Sequence, residues 1–511
     1  MSNLEKFYAV NPTNNELLDG EFINSTENQI DTVVKKAIQA FAVYRKKDKD
    51  SIADFLERIG EEILNLGDAL LERCHLETAL PLARLQGERG RTIGQLKLFA
   101  SVVREGSWVD ARIDTAIPDR APLPKSDIRH MLLPLGPVAV FGASNFPLAF
   151  SVAGGDTVSA LAAGCPVVVK AHPAHPGTSA MVAGAIEKAV NECGMPEGIF
   201  SLIQGNTNEV GVALVKHPGI KAVGFTGSFK GGKALFDIAN TRSEPIPVFA
   251  EMGSTNPVFI LPGILKEKAE AIATGMAGSI TQGVGQFCTN PGLTFVQKSD
   301  AADTFITDLI AKIKEASAAT MLTAGIHTAY DKKIKSTLEI SNVKEIAIGQ
   351  SVDLLNSAQA RIFKTTIATF LGNTALSEEN FGPSNVVVEA QSKQDILDAA
   401  SNLEGHLTAT VHGTDKDFSE FKELFDILEL KVGRLLVNGY PTGVEVCHSM
   451  VHGGPYPATT ASQTTSVGSN AIKRFARPIC YQDYPDTLLP VALRNENPLH
   501  IWRMINGTME K

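Results

Sequence analysis

The chain has 511 residues, of which 44% are hydrophobic and 20% charged, and its formal net charge is -9. This balance predicts a large folded protein of about three domains and excludes a disordered chain. The net negative charge also argues against nucleic acid or a membrane surface as a partner.

Residues 26–104 combine charged and apolar residues with helical periodicity, as in DTVVKKAIQAFAVYR, and predict a helical opening segment. From residue 136, short β-branched runs alternate with helices, as in GPVAVFGASNFPL, CPVVVKAH, TSAMVAGAIEKAVNECG, HPGIKAVGFTGS and PIPVFAEMG. This alternation predicts a doubly wound parallel sheet whose ligands bind at the carboxyl ends of the strands.

A second alternation predicts a second α/β domain that begins near residue 252. Its segments include GLTFVQ, AADTFITDLIAKIKEA, NVVVEAQS, KQDILDAASNLEG, LTATVHG and GRLLVNG. The proline-rich APLPKSDIRHMLLPLGP and the closing RNENPLHIWRMINGTMEK suit neither core.

The cysteines are scattered and form no C-x-x-C pair, which predicts neither a metal site nor a disulfide framework. They are Cys74, Cys165, Cys193, Cys288, Cys447 and Cys480. No apolar signal-peptide core opens the chain, and no run approaches the roughly 18 apolar residues of a membrane span. We therefore expect reduced thiols in a cytoplasmic protein.

Cys288 lies in GVGQFCTNPG, among three glycines and a proline. A glycine-rich backbone can bring N–H groups close to a reacting atom, which favours a reactive thiol. A lone cysteine is more often a small buried hydrophobe, so the local pattern leaves both roles open.

Two polar residues follow predicted strands. Asn145 in FGASNFPL can direct its amide N–H groups at a developing oxyanion, or it can stabilise a turn. Glu251 in FAEMGSTNP ends an apolar run at the carboxyl edge of the predicted sheet, where a general base is expected. The alternative is an ordinary surface glutamate, which is more common.

Two further motifs have weaker signals. KAVGFTGSFKGGKAL reads as a strand, a glycine-rich turn and a helix whose N-terminus can bind a pyrophosphate, but its spacing is not G-x-G-x-x-G. SEENFGPSNVVV places an acidic pair and an aromatic residue before a strand, and an ordinary exposed turn is its alternative.

Taken together and in order, these motifs resemble the aldehyde dehydrogenase family over nearly the whole chain. They are ASNFP, VVVK, FTGS, EMGSTNP, GQFC and EENFGP. Longer segments, among them ETALPLARLQGERGRT and MVHGGPYPATT, resemble the branch that contains 2,5-dioxovalerate dehydrogenases and NADP-dependent fatty aldehyde dehydrogenases. The resemblance implies oxidation of an aldehyde to an acid, with 2,5-dioxovalerate the expected substrate and a long-chain fatty aldehyde the alternative.

The resemblance also implies an α/β fold with three parts. These are a Rossmann-like cofactor domain (1–114 and 136–251), a catalytic α/β domain (252–479) and a small β oligomerisation arm (115–135 and 480–511). Exchange of sheet contacts through the arm implies a homodimer or homotetramer.

For catalysis, the resemblance assigns Cys288 as the nucleophile that forms a thiohemiacetal and then a thioester. Asn145 and the Cys288 N–H stabilise the oxyanion, and Glu251 activates the water that hydrolyses the thioester. Glu251 argues against a CoA-acylating enzyme, and the presence of all three residues argues against a silent binding protein. His452 in MVHGGPYP is an auxiliary acid or base, or merely shapes its loop, and His448 is a weaker candidate.

The resemblance places the cofactor on seven residues from three segments of the chain, VVVKAHP, FTGS and EENFGP. They are Lys170, Pro173, Thr226, Gly227, Ser228, Glu379 and Phe381. Many family members carry a glutamate that favours NAD where this chain has Pro173. Without that carboxylate a 2′-phosphate is not repelled, so we expect NADP, with NAD possible.

The substrate is expected to contact residues near the thiol and on one helix. They are Arg91, Phe146 and Phe287. In LPLARLQGERGRT, Arg84 and Arg91 are about two helical turns apart and can share a face. A guanidinium in the entrance favours an anionic semialdehyde, whereas pairing with Glu77 or Glu88 is the structural alternative.

Overall fold

The computed structural model describes residues 5–511. Residues 1–4, which the predicted cofactor domain includes, lie outside the described residues. The helices are α1 (Glu27–Tyr44), α2 (Lys49–Asn65), α3 (Gly67–Thr78), α4 (Leu82–Glu105), α5 (Gly155–Ala162), α6 (Pro176–Glu192), α7 (Asn208–Lys216), α8 (Phe229–Asn240), α9 (Pro262–Thr281), α10 (Asp300–Glu315), α11 (Ala324–Leu338), α12 (Ile367–Leu371), α13 (Lys393–Asn402), α14 (Asp415–Glu420) and α15 (Lys422–Leu428).

The strands group into three larger sheets and two short pairs. They are β1 (Lys6–Val10), β2 (Leu17–Ile23), β3 (Arg112–Asp114), β4 (Ile128–Pro134), β5 (Val138–Phe141), β6 (Val167–Lys170), β7 (Phe200–Ile203), β8 (Ala222–Thr226), β9 (Val248–Glu251), β10 (Val258–Ile260), β11 (Leu293–Gln297), β12 (Ala319–Thr320), β13 (Lys344–Ile348), β14 (Ser357–Ala358), β15 (Arg361–Thr366), β16 (Ser384–Ala390), β17 (His406–His412), β18 (Val432–Val437), β19 (Ala476–Gln482), β20 (Arg503–Ile505) and β21 (Thr508–Glu510).

The opening segment forms four helices, α1 to α4, as its periodicity predicts. Thr26 begins α1 with a capping box, in which its side chain and that of Gln29 satisfy each other's backbone N–H groups. Asp48 caps α2 by accepting from the Ser51 N–H. Local capping and amphipathic periodicity therefore agree on where these helices begin.

The first sheet has the strand order β7-β6-β5-β8-β9, and all its neighbours are parallel. Alternate β5 residues enter different cores: Val138 and Val140 pack on one face, Ala139 and Phe141 on the other. Burial on both faces explains the continuous apolar runs that predicted this sheet. Its carboxyl edge carries Lys170, Thr226 and Glu251, each the last residue of its strand, as parallel topology requires.

The second sheet has the order β13-β15-β16-β11-β10-β17-β18, and only β13 runs antiparallel to its neighbour. Cys288 precedes β11 and Glu379 precedes β16, so both lie at the amino-terminal edge of this sheet. Asn145 of the first sheet donates from Nδ2 to the Gln286 carbonyl oxygen at 3.0 Å. The carboxyl edge of one sheet therefore meets the amino edge of the other, and the polar motifs lie between them.

The third sheet, β19-β4-β3-β20-β21, covers a small separate apolar cluster that includes Met131, Leu493 and Ile501. It also takes in Arg112–Asp114 and the start of β19, which the sequence analysis assigns to the neighbouring domains. The domain boundaries and the oligomerisation role of the arm stay predictions. No helix within residues 5–511 has the length and apolarity needed to cross a membrane.

Candidate active site

The loop that carries Cys288 is held in place from two sides. Asn256 is fully buried, and its Nδ2 donates to the carbonyl oxygens of Cys288 at 2.8 Å and Asn290 at 2.9 Å. Gly285 has φ +65°, and a Cβ there would collide with the backbone of Gly382. Val284 has φ 58°, a strained conformation for a β-branched residue. Packing therefore imposes one conformation on the backbone before the thiol.

Cys288, His452 and Glu251 form a continuous polar chain. Sγ of Cys288 lies 3.4 Å from Nε2 of His452, and Nδ1 of His452 lies 3.2 Å from Oε2 of Glu251. The histidine and the glutamate are about 95% buried, with relative exposures of 5% and 6%. His452 and Glu251 belong to separate motifs of the sequence, whereas the structure brings them into direct contact.

The imidazole of His452 is held by its own loop as well. The backbone N–H of His452 donates to Oγ1 of Thr465 at 2.9 Å, and Oγ of Ser466 lies 3.3 Å from Nδ1 of the ring. The sequence did not point to Thr465 or Ser466, because a hydroxyl thirteen or fourteen residues after a histidine forms no recognised motif.

The pKa of His452 reflects its partners. Burial by itself lowers this pKa, but the charge of Cys288, its hydrogen bond and the hydrogen bond of Glu251 together raise the pKa to about 10. Once Sγ of Cys288 has given up its proton, the imidazole beside it is therefore positively charged at neutral pH. A thiolate next to an imidazolium is the reactive form of a cysteine nucleophile.

Asn145 lies in the loop after β5 and is 7% exposed. Its Nδ2 uses one hydrogen for the Gln286 carbonyl, which leaves the second available to another acceptor. Arg84 Nη2 donates to the Asn145 carbonyl oxygen at 2.7 Å. Glu88 Oε1 accepts from the N–H groups of the two residues Leu148 and Ala149 at 2.9 and 3.0 Å. Two side chains of α4 therefore fix the loop that presents the amide.

A cavity of about 350 Å³ extends from the thiol to the turn between β8 and α8. Its wall includes Asn145, Thr226, Gly227, Ser228, Glu251, Cys288, Glu379, Phe381 and His452. Ser228 caps α8 by accepting from the Gly231 N–H. This wall unites five of the seven predicted cofactor residues with the thiol.

Lys170 and Pro173, the other two predicted cofactor residues, do not line this cavity. Lys170 is the last residue of β6, and Pro173 follows it by three positions. Burial lowers the pKa of Lys170 to about 8, and no anionic group within the described chain offsets it. Burial likewise raises the pKa of Glu379 to about 7, since its single hydrogen bond, from the Ser254 N–H, is 3.4 Å long. A half-buried ammonium and a half-buried carboxyl with few partners, together with the capped N-terminus of α8, fit the hydroxyl and phosphate groups of a dinucleotide.

A second cavity, of about 520 Å³, opens on the other side of the thiol. The predicted substrate residues Arg91, Phe146 and Phe287 line it together with Cys288 and His452. The Phe146 and Phe287 rings meet edge to face, with their centroids 5.5 Å apart. Cys288 and His452 border both cavities, so the thiol can be approached from two directions. His448 is exposed and lies on neither wall.

The sequence motifs, the paired sheets and the thiol between two cavities agree with a comparison against family models. The model of the aldehyde dehydrogenase family matches residues 1–472. The chain belongs to the aldehyde dehydrogenase family. The predicted family and the prediction of an aldehyde-oxidising enzyme are thereby confirmed, and the family's cofactor is NAD(P).

Two curated members of the family are similar over almost their full length. Alpha-ketoglutaric semialdehyde dehydrogenase 2 of Azospirillum brasilense is 50% identical over 503 residues, or 98% of this chain and 96% of that protein. Alpha-ketoglutaric semialdehyde dehydrogenase of Acinetobacter baylyi is 47% identical over 509 residues, or 99% and 96%.

Solved structures of the family share the fold. Betaine aldehyde dehydrogenase from Staphylococcus aureus, in complex with NAD⁺, gives a TM-score of 0.80 at 19% identity and covers 95% of this chain and 93% of that one. A 3,6-anhydro-L-galactose dehydrogenase in complex with NADP also gives a TM-score of 0.80, at 20% identity. This match covers 94% of this chain and 97% of that one. The predicted α/β fold is confirmed.

Proposed function

We propose that this aldehyde dehydrogenase oxidises α-ketoglutaric semialdehyde (2,5-dioxovalerate) to 2-oxoglutarate, with NADP as the preferred cofactor and NAD as an alternative. The two curated relatives above support the substrate. The observation that carries the proposed chemistry is the Cys288–His452–Glu251 chain between the two cavities.

In the first step, the Cys288 proton moves from Sγ to Nε2 of His452, and Glu251 stabilises the resulting imidazolium through Nδ1–H. The thiolate attacks the aldehyde carbon, so an S–C bond forms and the carbonyl electron pair moves onto oxygen. The free N–H of the Asn145 side chain donates to this oxyanion. Loss of one such donor typically raises a barrier by about 3 kcal/mol.

A bound NAD(P)⁺ would supply the hydride acceptor for the hydrogen of the former aldehyde carbon. Thr226, Gly227, Ser228 and the N-terminus of α8 hold its pyrophosphate in this proposal, while Lys170 and Glu379 bind ribose hydroxyls. The oxyanion then re-forms the carbonyl, which leaves a thioester on Cys288.

The charge on Cys288 is the main cause that raises the pKa of His452, and thioester formation removes this charge. Burial then favours the neutral imidazole, and the proton has a route from Nδ1 to Oε2 of Glu251. Neutral His452, with Glu251 behind it, accepts a proton from the attacking water. Water attacks the thioester carbon, the C–S bond breaks, and the free acid and the thiolate separate.

The choice of NADP rests on position 173, where proline brings no carboxylate to repel a 2′-phosphate. The proposed assembly is a homodimer or homotetramer formed through the β arm. The proposed compartment is the cytoplasm, in keeping with cysteines that are all free in the structure.

The test is steady-state oxidation of α-ketoglutaric semialdehyde by the purified chain with each cofactor, in the presence of CoA and inorganic phosphate. We expect 2-oxoglutarate as the free acid, together with reduced cofactor. A CoA thioester or acyl phosphate as product would contradict the hydrolytic mechanism. A higher kcat/KM for a long-chain fatty aldehyde than for the semialdehyde would contradict the substrate.

A further inference from the structure

One face of α4 brings three charged side chains to the substrate cavity. Arg84, Glu88 and Arg91 are spaced by four and three residues, so they lie on one side of the helix. All three line the cavity of about 520 Å³ that also reaches Cys288. The passage to the thiol is therefore charged on one wall and aromatic on others.

Two of these side chains are committed to the backbone of the Asn145 loop. Arg84 donates from Nη2 to the Asn145 carbonyl oxygen, and Glu88 accepts two N–H groups from Leu148 and Ala149. Nη1 of Arg84 has no acceptor within the described chain, so Arg84 still adds positive potential to the passage.

Arg91 is not committed in this way. Both of its terminal nitrogens, Nη1 and Nη2, are buried and have no hydrogen-bond acceptor among residues 5–511. The guanidinium lies over the Phe150 ring at 4.9 Å and the Phe146 ring at 5.8 Å from the centroids. These contacts place the guanidinium over two aromatic rings but leave the N–H groups of its terminal nitrogens without an acceptor among residues 5–511. Such a buried cation is costly unless an anion joins it.

The acidic groups near Arg91 do not supply that anion. Glu88, Cys288 and Glu445 act on Arg91 through their charge alone, and within the described chain none of them accepts a hydrogen bond from its terminal nitrogens. Glu77, the other acid that the sequence offers as a partner, instead pairs with Arg73 at 2.9 Å and accepts from the N–H groups at the start of α6. The structural alternative for Arg91 is therefore not realised.

We propose that Arg91 binds the carboxylate remote from the aldehyde group in an ω-oxo carboxylate substrate, and so determines the preference for anionic semialdehydes over neutral aldehydes. This inference rests on the proposed function. A guanidinium presents a pair of N–H groups that matches a carboxylate, and the aromatic walls strengthen the pair by excluding water. Phe146 and Phe287 pack against the methylene groups between the two ends of the substrate.

The test compares Arg91→Met and Arg91→Lys with Arg89→Met. Arg89 lies on the same helix but donates to the Gly67 carbonyl oxygen, so it is a matched control. For Arg91→Met we expect kcat/KM for α-ketoglutaric semialdehyde to fall 10- to 100-fold, about 1.4 to 2.8 kcal/mol, mainly through KM. Pentanal should change less than threefold, Arg91→Lys should retain part of the preference, and Arg89→Met should match the wild type.

Binding of 2-oxoglutarate by calorimetry provides a readout that does not need turnover. We expect Arg91→Met to weaken this binding at least tenfold with an unchanged melting temperature. If the wild type oxidises no aldehyde but binds 2-oxoglutarate through Arg91, the proposed function fails and only the carboxylate-binding part of this inference stands. Equal losses for the semialdehyde and pentanal, or binding that does not depend on Arg91, would overturn it.

Discussion

Sγ of Cys288 lies 3.4 Å from Nε2 of His452, so a buried imidazole is in direct contact with the thiol at the junction of the two cavities. Glu251 contacts the opposite nitrogen of the same ring. In the proposed mechanism, the base for hydrolysis therefore acts through the same ring that stabilises the nucleophile. Each member of the chain can be tested separately.

Cys288→Ala should abolish aldehyde oxidation while the cofactor still binds, because no other thiol lines either cavity in the described chain. The substitution also removes the charge that raises the pKa of His452, so this pKa should fall, as measured by NMR titration of the ring. Cys447→Ala is the control and should keep full activity. Residual oxidation by Cys288→Ala would rule out the proposed nucleophile.

His452→Asn should lower kcat by about 10²- to 10⁴-fold, the usual contribution of a general acid or base. Alkylation of Cys288 by iodoacetamide should also slow, because the thiolate loses its cationic neighbour. His452 is charged only below its pKa of about 10. The difference in alkylation rate between His452→Asn and the wild type should therefore be large at neutral pH and shrink as the pH rises through about 10. His448→Asn, at an exposed position, should behave as the wild type. An alkylation rate unchanged at neutral pH would show that His452 only shapes its loop.

Glu251→Gln should still give a burst of reduced cofactor, slowed only by the loss of the carboxylate that stabilises the His452 imidazolium. Slow turnover should follow, since Glu251 is needed as the base after the thioester has formed. The pKa of His452 should fall in this variant, because Glu251 contributes to raising it. Stopped-flow absorbance measures the burst and the steady state together. Loss of the burst would mean that Glu251 is required earlier, to orient His452 beside the thiol.

Pro173→Glu should reduce kcat/KM for NADP at least tenfold relative to NAD, because a carboxylate near the 2′-phosphate repels it. Pro173→Ala is the neutral control and should keep the wild-type ratio. A parallel change for both cofactors would show that position 173 does not face the ribose.

The α/β fold could be predicted because its signals are local. Buried parallel strands favour continuous apolar runs, such as the three valines of β6, and the parallel connection places the ends of β6, β8 and β9 at one edge. The family motifs likewise lie in short continuous segments. The sequence was therefore sufficient to select Cys288, Glu251 and Asn145 as candidates.

Only the tertiary structure decided which candidates touch. His452 lies 164 residues from Cys288 and 201 from Glu251, and no spacing rule relates such positions. The same holds for Asn256, whose amide anchors the Cys288 loop. It also holds for Arg91, whose terminal nitrogens lack an acceptor in the described part of the chain because of how α4 packs against the phenylalanine rings. Periodicity and turn chemistry act over a few residues, whereas a hydrogen bond across a cavity exists only once two sheets have packed edge to edge.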